Sequence, residues 1–122
     1  MMRFSILVCD DSTVARKQVI RCLNECLDAD IQQATNGKEA LALLHHKHFD
    51  LLCLDLTMPE VDGIAVLEQV KANKIETYVL VISADIQQKM RDRVAQLGAI
   101  DFIHKPINKA QLNDVLHKFG IY

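Results

Sequence analysis

Four consecutive apolar residues at positions 51–54 stand between two aspartates and lead into a loop that contains both proline and glycine. A short apolar run without alternating polar positions is typical of a strand that is buried on both faces of a parallel sheet. Asp55 closes this strand. Because open α/β sheets bind their ligands at the carboxyl ends of their strands, Asp55 lies where a functional residue is expected.

Short apolar segments and amphipathic segments alternate along the rest of the chain. We predict strands over residues 4–9, 30–34, 51–54, 78–82 and 100–104, each followed by a helix. Side chains that commonly cap helices precede four of these helices: Ser12 or Thr13, Asn36, Asp62 and Asn108. The apolar face of the fourth helix is predicted from Ile86, Met90, Val94 and Leu97, and Gly98 ends that helix.

This alternation predicts one α/β domain with right-handed crossovers and helices on both faces of the sheet. For a chain of 122 residues, the expected arrangement is a single doubly wound, five-stranded parallel sheet of flavodoxin-like order 2-1-3-4-5. The second strand is short and polar, so we expect it at an edge of the sheet.

Polar residues follow four of the predicted strands, namely Asp10, Asp11, Asp55, Ser83 and Lys105. In a parallel sheet these side chains converge on one edge. Carboxylates brought together raise each other's pKa unless a cation lies among them, and Mg²⁺ prefers such oxygen ligands. A lysine ammonium and a serine hydroxyl suit the oxygens of a phosphoryl group. The set therefore predicts a site that holds a phosphoryl group beside Mg²⁺.

Asp55 itself is the candidate nucleophile of this site. The four glycines of the chain are scattered, and they form neither a G-x-x-x-x-G-K-[ST] loop nor a G-x-G-x-x-G turn, which disfavours a nucleotide cradle. A carboxylate can attack phosphorus in line and form an acyl phosphate. The expected product is a transient covalent mark on Asp55.

The chain resembles a receiver domain of a two-component response regulator, similar in size to the stand-alone receivers of the chemotaxis type. The resemblance covers essentially all 122 residues. It rests on four motifs in matching order and spacing: VCDDS at 8–12, LDLTMP at 54–59 with Asp62-Gly63, VISA at 81–84, and Gly98-Ala99 leading to FIHKP at 102–106. We expect residues 1–122 to be one receiver domain, without an output domain.

The resemblance implies that Asp55 is the phosphoacceptor and that Mg²⁺ is the cofactor. Asp11, Asp55 and the backbone carbonyl of Thr57 would bind the ion directly. Asp10 would hold the ion through water. Lys105 would pair with the phosphoryl group.

Further roles also follow only from the resemblance. Ser83 would be the switch hydroxyl, and Phe102 would be the switch aromatic at a position often occupied by Tyr or Phe. A cis peptide bond is implied before Pro106, and X-Pro bonds are those that reach the cis form at low cost. Thr57 and Asp85 fall where side chains tune how long the phosphoryl mark lasts.

The implied partners are a sensor histidine kinase or phosphotransfer protein and a separate downstream effector protein. The expected function is a switch and not an enzyme, apart from its own phosphorylation and dephosphorylation. One alternative is a receiver-like adaptor that signals without phosphate. Another is an aspartate-dependent phosphohydrolase, which usually needs a second acid two residues after the nucleophile, where this chain has Thr57.

Composition excludes several classes of function. The formal net charge of −2 and the pI of about 6.2 give no general attraction for nucleic acid or anionic membranes. No apolar run approaches the roughly 20 residues of a membrane span, and the amino-terminal residues do not resemble a signal peptide. We therefore expect a cytoplasmic protein, either a monomer or a weak homodimer, without direct nucleic-acid or membrane binding.

Overall fold

A computed structural model describes residues 3–85 and 87–122. Five parallel strands form one sheet in the order β2-β1-β3-β4-β5, which confirms the predicted fold and order. The strands are β1 (Phe4–Cys9), β2 (Ala29–Ala34), β3 (Leu51–Leu54), β4 (Tyr78–Ser83) and β5 (Asp101–His104). The helices are α1 (Thr13–Cys26), α2 (Gly37–His46), α3 (Gly63–Ala72), α4 (Gln88–Gln96) and α5 (Lys109–Lys118).

Both faces of the sheet are covered because the strands are apolar at successive positions. In β1, Leu7 and Cys9 pack on one face, whereas Ile6 and Val8 pack on the other. The first face is covered by α2, α3 and α4, and the second by α1 and α5. This division explains why β1, β3 and β4 carry runs of apolar residues without alternation.

The predicted N-caps explain where four helices begin. Each cap side chain accepts a hydrogen bond from an N–H in the first turn: Ser12 from Ala15, Asn36 from Glu39, Asp62 from Ala65 and Asn108 from Gln111. Helix α4 differs, because its N-cap Gln87 makes no side-chain capping hydrogen bond. The predicted packing of Ile86 falls outside the described residues. Val94 is buried and Gly98 follows the helix with φ of +97°, as the sequence predicts.

Small differences from the predicted bounds have a simple cause in strand pairing. The second strand begins at Ala29 and not at residue 30, because Ala29 is in register with Phe4 at the start of β1. The fifth strand begins at Asp101 and not at residue 100, because its pairing with β4 begins where Asp101 lies opposite Leu80. β2 lies at an edge of the sheet, as predicted. Within residues 3–85 and 87–122, no helix is long and apolar enough to cross a membrane.

Candidate functional site

Two buried carboxylates lie at the carboxyl edge of the sheet, directly after two neighbouring strands. Asp10 follows β1 and is 3% exposed, and Asp55 follows β3 and is 6% exposed. The Asp10 N–H donates to the Ala34 carbonyl (3.1 Å), and the Asp55 N–H donates to the Cys9 carbonyl (3.0 Å). Backbone pairing therefore continues past both strands and fixes the points from which the two carboxylates project.

Asp11 adds a third carboxylate to this edge. Carboxylate oxygens of Asp10, Asp11 and Asp55 all lie within 4.8 Å of one another, and Asp11 is exposed whereas the other two are buried. Hard oxygen ligands at this spacing fit a divalent cation such as Mg²⁺, which is commonly held by one or two carboxylates and water. We refer to these three residues as the acidic cluster. It is a set of ligands able to hold a metal ion.

Lys105 brings an ammonium group to the acidic cluster. Its Nζ lies 2.8 Å from Asp10 Oδ2 and 3.4 Å from Asp55 Oδ1. The backbone of Lys105 is held against the neighbouring strand, because its N–H donates to the Ser83 carbonyl (2.9 Å). The peptide bond between Lys105 and Pro106 is cis. The lysine thus contacts both buried acids, and its closer contact is with Asp10.

The charges at this edge do not cancel. Burial raises the pKa of Asp55, and the charge of Asp10 raises it further, while Lys105 opposes both effects. Burial alone lowers the pKa of Lys105, but the hydrogen bond to Asp10 and the charges of both acids outweigh it, so the pKa is raised. Lys105 therefore stays protonated at neutral pH. The Lys105 ammonium alone does not neutralise three ionised carboxylates, and this arrangement favours binding of a divalent cation by their oxygens.

Ser83 ends β4 at the same edge and is 1% exposed. Its Oγ accepts a hydrogen bond from the Asp85 N–H (3.1 Å), and the Asp85 carboxylate accepts one from the Gln87 N–H (3.0 Å). Ser83 therefore anchors the loop that leads from β4 toward α4. A change in the hydrogen bonding of this hydroxyl would be transmitted directly to that loop.

Phe102 lies in β5 and is half-buried against the core face that α4 covers. The guanidinium carbon of Arg91, in α4, lies 4.7 Å from the centre of the Phe102 ring. Phe102 therefore links β5 to α4 through an aromatic contact with a cation. Thr57 is exposed and lies two residues after Asp55, in the loop before α3.

The start of α3 packs directly against the backbone of Asp55. The Gly63 N–H donates to the Leu56 carbonyl (3.0 Å). A Cβ atom at Gly63 would collide with the Asp55 carbonyl oxygen and would lie 2.7 Å from Leu56 Cα. Glycine is therefore required at position 63, because only glycine lets the start of α3 approach the backbone of Asp55 and Leu56 this closely. The sequence predicted only a helix cap at this position.

Two arginine contacts were not predicted from the sequence. Arg91 contacts Phe102, and Arg16 donates a hydrogen bond to the Asp10 carbonyl (2.7 Å). Arg16 lies in the first turns of the helix that follows the acidic strand end, which is a signal for a contact with that loop. The sequence does not reveal which acceptor such a long side chain selects.

The chain belongs to the response regulator receiver domain family, the class of protein that this fold and acidic edge define. The family profile matches residues 6–117. The chain is therefore a receiver of the kind used in two-component signal transduction. Receivers of this family interact with histidine kinases, phosphotransfer proteins and effectors.

Individual relatives agree with this assignment. The chemotaxis protein CheY of Bacillus subtilis is 32% identical over 117 residues, which cover 96% of this chain and 98% of CheY. A protein-glutamate methylesterase/protein-glutamine glutaminase of Rhodospirillum rubrum is 36% identical over 88% of this chain, which spans only 30% of that protein. The match to the methylesterase thus concerns one part of a longer protein.

Solved structures show the same architecture. The signal receiver domain of a LuxO repressor protein from Vibrio parahaemolyticus has a TM-score of 0.89 and 27% identity, covering 96% of this chain and 89% of that one. A chain in the CheX–CheY–BeF3–Mg²⁺ complex of Borrelia burgdorferi has a TM-score of 0.86 and 28% identity, covering 98% and 90%.

Proposed function

We propose that this chain is a Mg²⁺-dependent phosphorylation switch whose acceptor is Asp55. The observation that carries the proposal is the placement of the buried Asp55 carboxylate within one group with Asp10, Asp11 and the Lys105 ammonium. A nucleophilic carboxylate, ligands for a divalent cation and a cation for phosphoryl oxygens are thus all present at one edge. The membership of the chain in the receiver family supports the same assignment.

The donor would be a phosphohistidine of a sensor kinase or phosphotransfer protein that docks near α1. An Asp55 oxygen attacks phosphorus, a P–O bond forms as the P–N bond breaks, and the imidazole leaves with the electron pair. Asp11, Asp55 and the Thr57 carbonyl would hold Mg²⁺, with Asp10 acting through water. The bound ion would neutralise negative charge on the phosphoryl oxygens.

After transfer, Lys105 is placed to bind a phosphoryl oxygen because it already lies 3.4 Å from Asp55. Ser83 donates its hydroxyl hydrogen to another phosphoryl oxygen, and this change moves the loop before α4. Phe102 then changes its position. The face formed by α4, β5 and α5 is then read by an effector protein. Before transfer, the chain is in equilibrium between two conformations. Phosphorylation shifts this equilibrium because the phosphoryl group interacts more favourably with one conformation than with the other. Thr57 and Asp85 adjust the lifetime of the phosphoryl mark. The proposed function is that of a switch, whose own chemistry is limited to its phosphorylation and dephosphorylation.

Intact-mass spectrometry after incubation with acetyl phosphate and Mg²⁺ tests the proposal. Wild type should gain one phosphoryl group in Mg²⁺ and none in EDTA, and Asp55→Asn should gain none. Asp62→Asn is a matched control, because it removes another acid near the same loop while asparagine still caps α3. Asp62→Asn should be phosphorylated like the wild type.

Two results would contradict the acceptor assignment. One is an equal mass gain in Asp55→Asn, which would place the phosphoryl group on another residue. The other is the absence of a gain in wild type with both acetyl phosphate and a phosphorylated histidine kinase, although Mg²⁺ binds. That second result would favour an adaptor that works without phosphate.

A further inference from the structure

Arg16 donates hydrogen bonds to three different segments beside the acidic cluster. Its Nη1 donates to the Asp10 carbonyl (2.7 Å), its Nε to Gln33 Oε1 (2.9 Å) and its Nη2 to Thr13 Oγ1 (3.2 Å). These acceptors belong to the loop after β1, to the edge strand β2 and to the first residue of α1. A planar guanidinium with rigidly spaced donors is well suited to fix several acceptors relative to one another.

The carbonyl that Arg16 binds belongs to the peptide unit that joins Asp10 to Asp11. Because the peptide unit is planar, holding its oxygen also fixes the direction in which the chain continues to Asp11. Two further hydrogen bonds hold Asp10 in place. Its N–H donates to the Ala34 carbonyl, and its Oδ1 accepts from the Ser12 N–H (2.9 Å). Asp11 is exposed, and its backbone sets the point and the direction from which its carboxylate projects.

We propose that Arg16 is a positioning residue that orients the Asp10–Asp11 peptide and thereby increases the affinity of the acidic cluster for a divalent cation. The inference rests on the proposed function, in which this cluster holds Mg²⁺. Residues that orient metal ligands from outside commonly change metal affinity by 10- to 100-fold when they are replaced.

The charge of Arg16 acts in the opposite direction from its hydrogen bonds. A fixed positive charge near the cluster repels a metal ion and lowers its affinity. Lys105 contributes such a charge by contacting carboxylate oxygens of Asp10 and Asp55 directly. The contact of Arg16 with the cluster is instead made to a backbone carbonyl, which leaves the Asp10 carboxylate to its other partners. Positioning and charge therefore predict opposite signs for the effect of removing Arg16.

Isothermal titration of Mg²⁺ into the unphosphorylated chain distinguishes these effects. Arg16→Ala should raise the dissociation constant about tenfold, at the lower end of the usual range for such residues. Gln33→Ala removes one support of the guanidinium and should raise the constant by a smaller factor, with no further effect in an Arg16→Ala background. Lys17→Ala is the matched control, because it removes an exposed positive charge from the same helix. It should leave the constant unchanged or slightly lowered.

Urea unfolding in EDTA checks that each variant is folded before titration, and Gln33→Ala provides the test if Arg16→Ala is too unstable. The initial phosphorylation rate gives a second readout, since the Arg16→Ala defect should disappear at saturating Mg²⁺. Mg²⁺ binding by Arg16→Ala as tight as by wild type, or tighter, would overturn the inference while leaving the proposed function intact. Failure of wild type itself to bind Mg²⁺ would reject both.

Discussion

Lys105 Nζ lies 2.8 Å from Asp10 Oδ2, so the lysine that follows β5 is paired most closely with the acid that follows β1. The same ammonium lies 3.4 Å from Asp55 Oδ1. Asp10 is almost fully buried, whereas the Lys105 side chain is 24% exposed. Lys105 thus stabilises two buried carboxylates and remains close enough to solvent to be reached by an incoming anion.

Replacement of this lysine should therefore affect stability before any phosphoryl group is present. We expect Lys105→Met to lower the free energy of unfolding by about 2 kcal/mol in EDTA, less than for a fully buried pair because the ammonium is partly hydrated. Mg²⁺ should restore more stability to the variant than it adds to wild type, because a divalent cation replaces the lost charge. Urea unfolding with and without Mg²⁺ measures both effects.

Lys89→Met serves as the control for Lys105→Met, since it removes an exposed lysine from α4. It should unfold within about 0.5 kcal/mol of wild type. Equal midpoints for Lys105→Met and Lys89→Met in EDTA would show that the ammonium does not stabilise the two buried acids.

The raised pKa of Asp55 predicts an unusual stabilising substitution. Burial and the charge of Asp10 raise this pKa, so the ionised carboxylate is less favourable in the folded chain than in the unfolded chain. Asp55→Asn should therefore increase the free energy of unfolding at pH 7 in EDTA by on the order of 1 kcal/mol. Mg²⁺ should reduce or reverse this difference, because only the wild type keeps the full set of metal ligands.

The pH dependence fixes the sign of this effect. A carboxyl group whose pKa is raised by folding contributes fully to the free energy of unfolding below its pKa in the unfolded chain. This contribution is lost as the pH rises through its pKa in the folded chain. As the pH falls toward the raised pKa of Asp55, the wild-type carboxylate takes up its proton, so the advantage of Asp55→Asn should shrink. Urea unfolding at several pH values measures it, with the exposed Asp114→Asn as control. An advantage that grows on acidification would contradict the stated cause.

Much of the fold and the identity of the acidic site follow from the sequence for a geometric reason. Parallel strands bring their carboxyl ends to one edge, so residues that follow separate strands, such as Asp10 and Asp55, must converge once the alternation of elements is recognised. The caps at Asn36 and Asp62 are equally local, because each depends on a side chain and an N–H only three residues away. These features do not require knowledge of distant packing.

The contacts of the long side chains could not be predicted in the same way. Lys105 selects Asp10 as its nearest partner, Arg16 reaches across to Gln33, and Arg91 lies over Phe102. Each choice depends on rotamers that are decided by neighbours far away in the sequence. The exclusion of a Cβ atom at Gly63 likewise depends on how closely α3 approaches β3. The sequence therefore predicts which residues meet at the site, but not how they are held there.

The contact between Arg91 and Phe102 leads to a prediction about the proposed switch. The guanidinium carbon lies 4.7 Å from the ring centre, and such a contact contributes about 0.5–1 kcal/mol at a partly exposed site. If it holds the ring in its present position, Arg91→Ala should increase the population of the alternative ring position about two- to fivefold. Relaxation-dispersion NMR of ¹³C-labelled phenylalanine rings in the unphosphorylated chain measures this population.

Arg93→Ala provides the matched control for this experiment. It removes the same charge from the same helix, but Arg93 pairs with Glu68 of α3 (3.2 Å), not with an aromatic ring. Exchange of the Phe102 ring should therefore respond to Arg91→Ala and much less to Arg93→Ala. An equal response to both substitutions would indicate that the ring follows the general mobility of α4. A response to neither would show that core packing alone positions Phe102, and its role as a switch would then lack support from this contact.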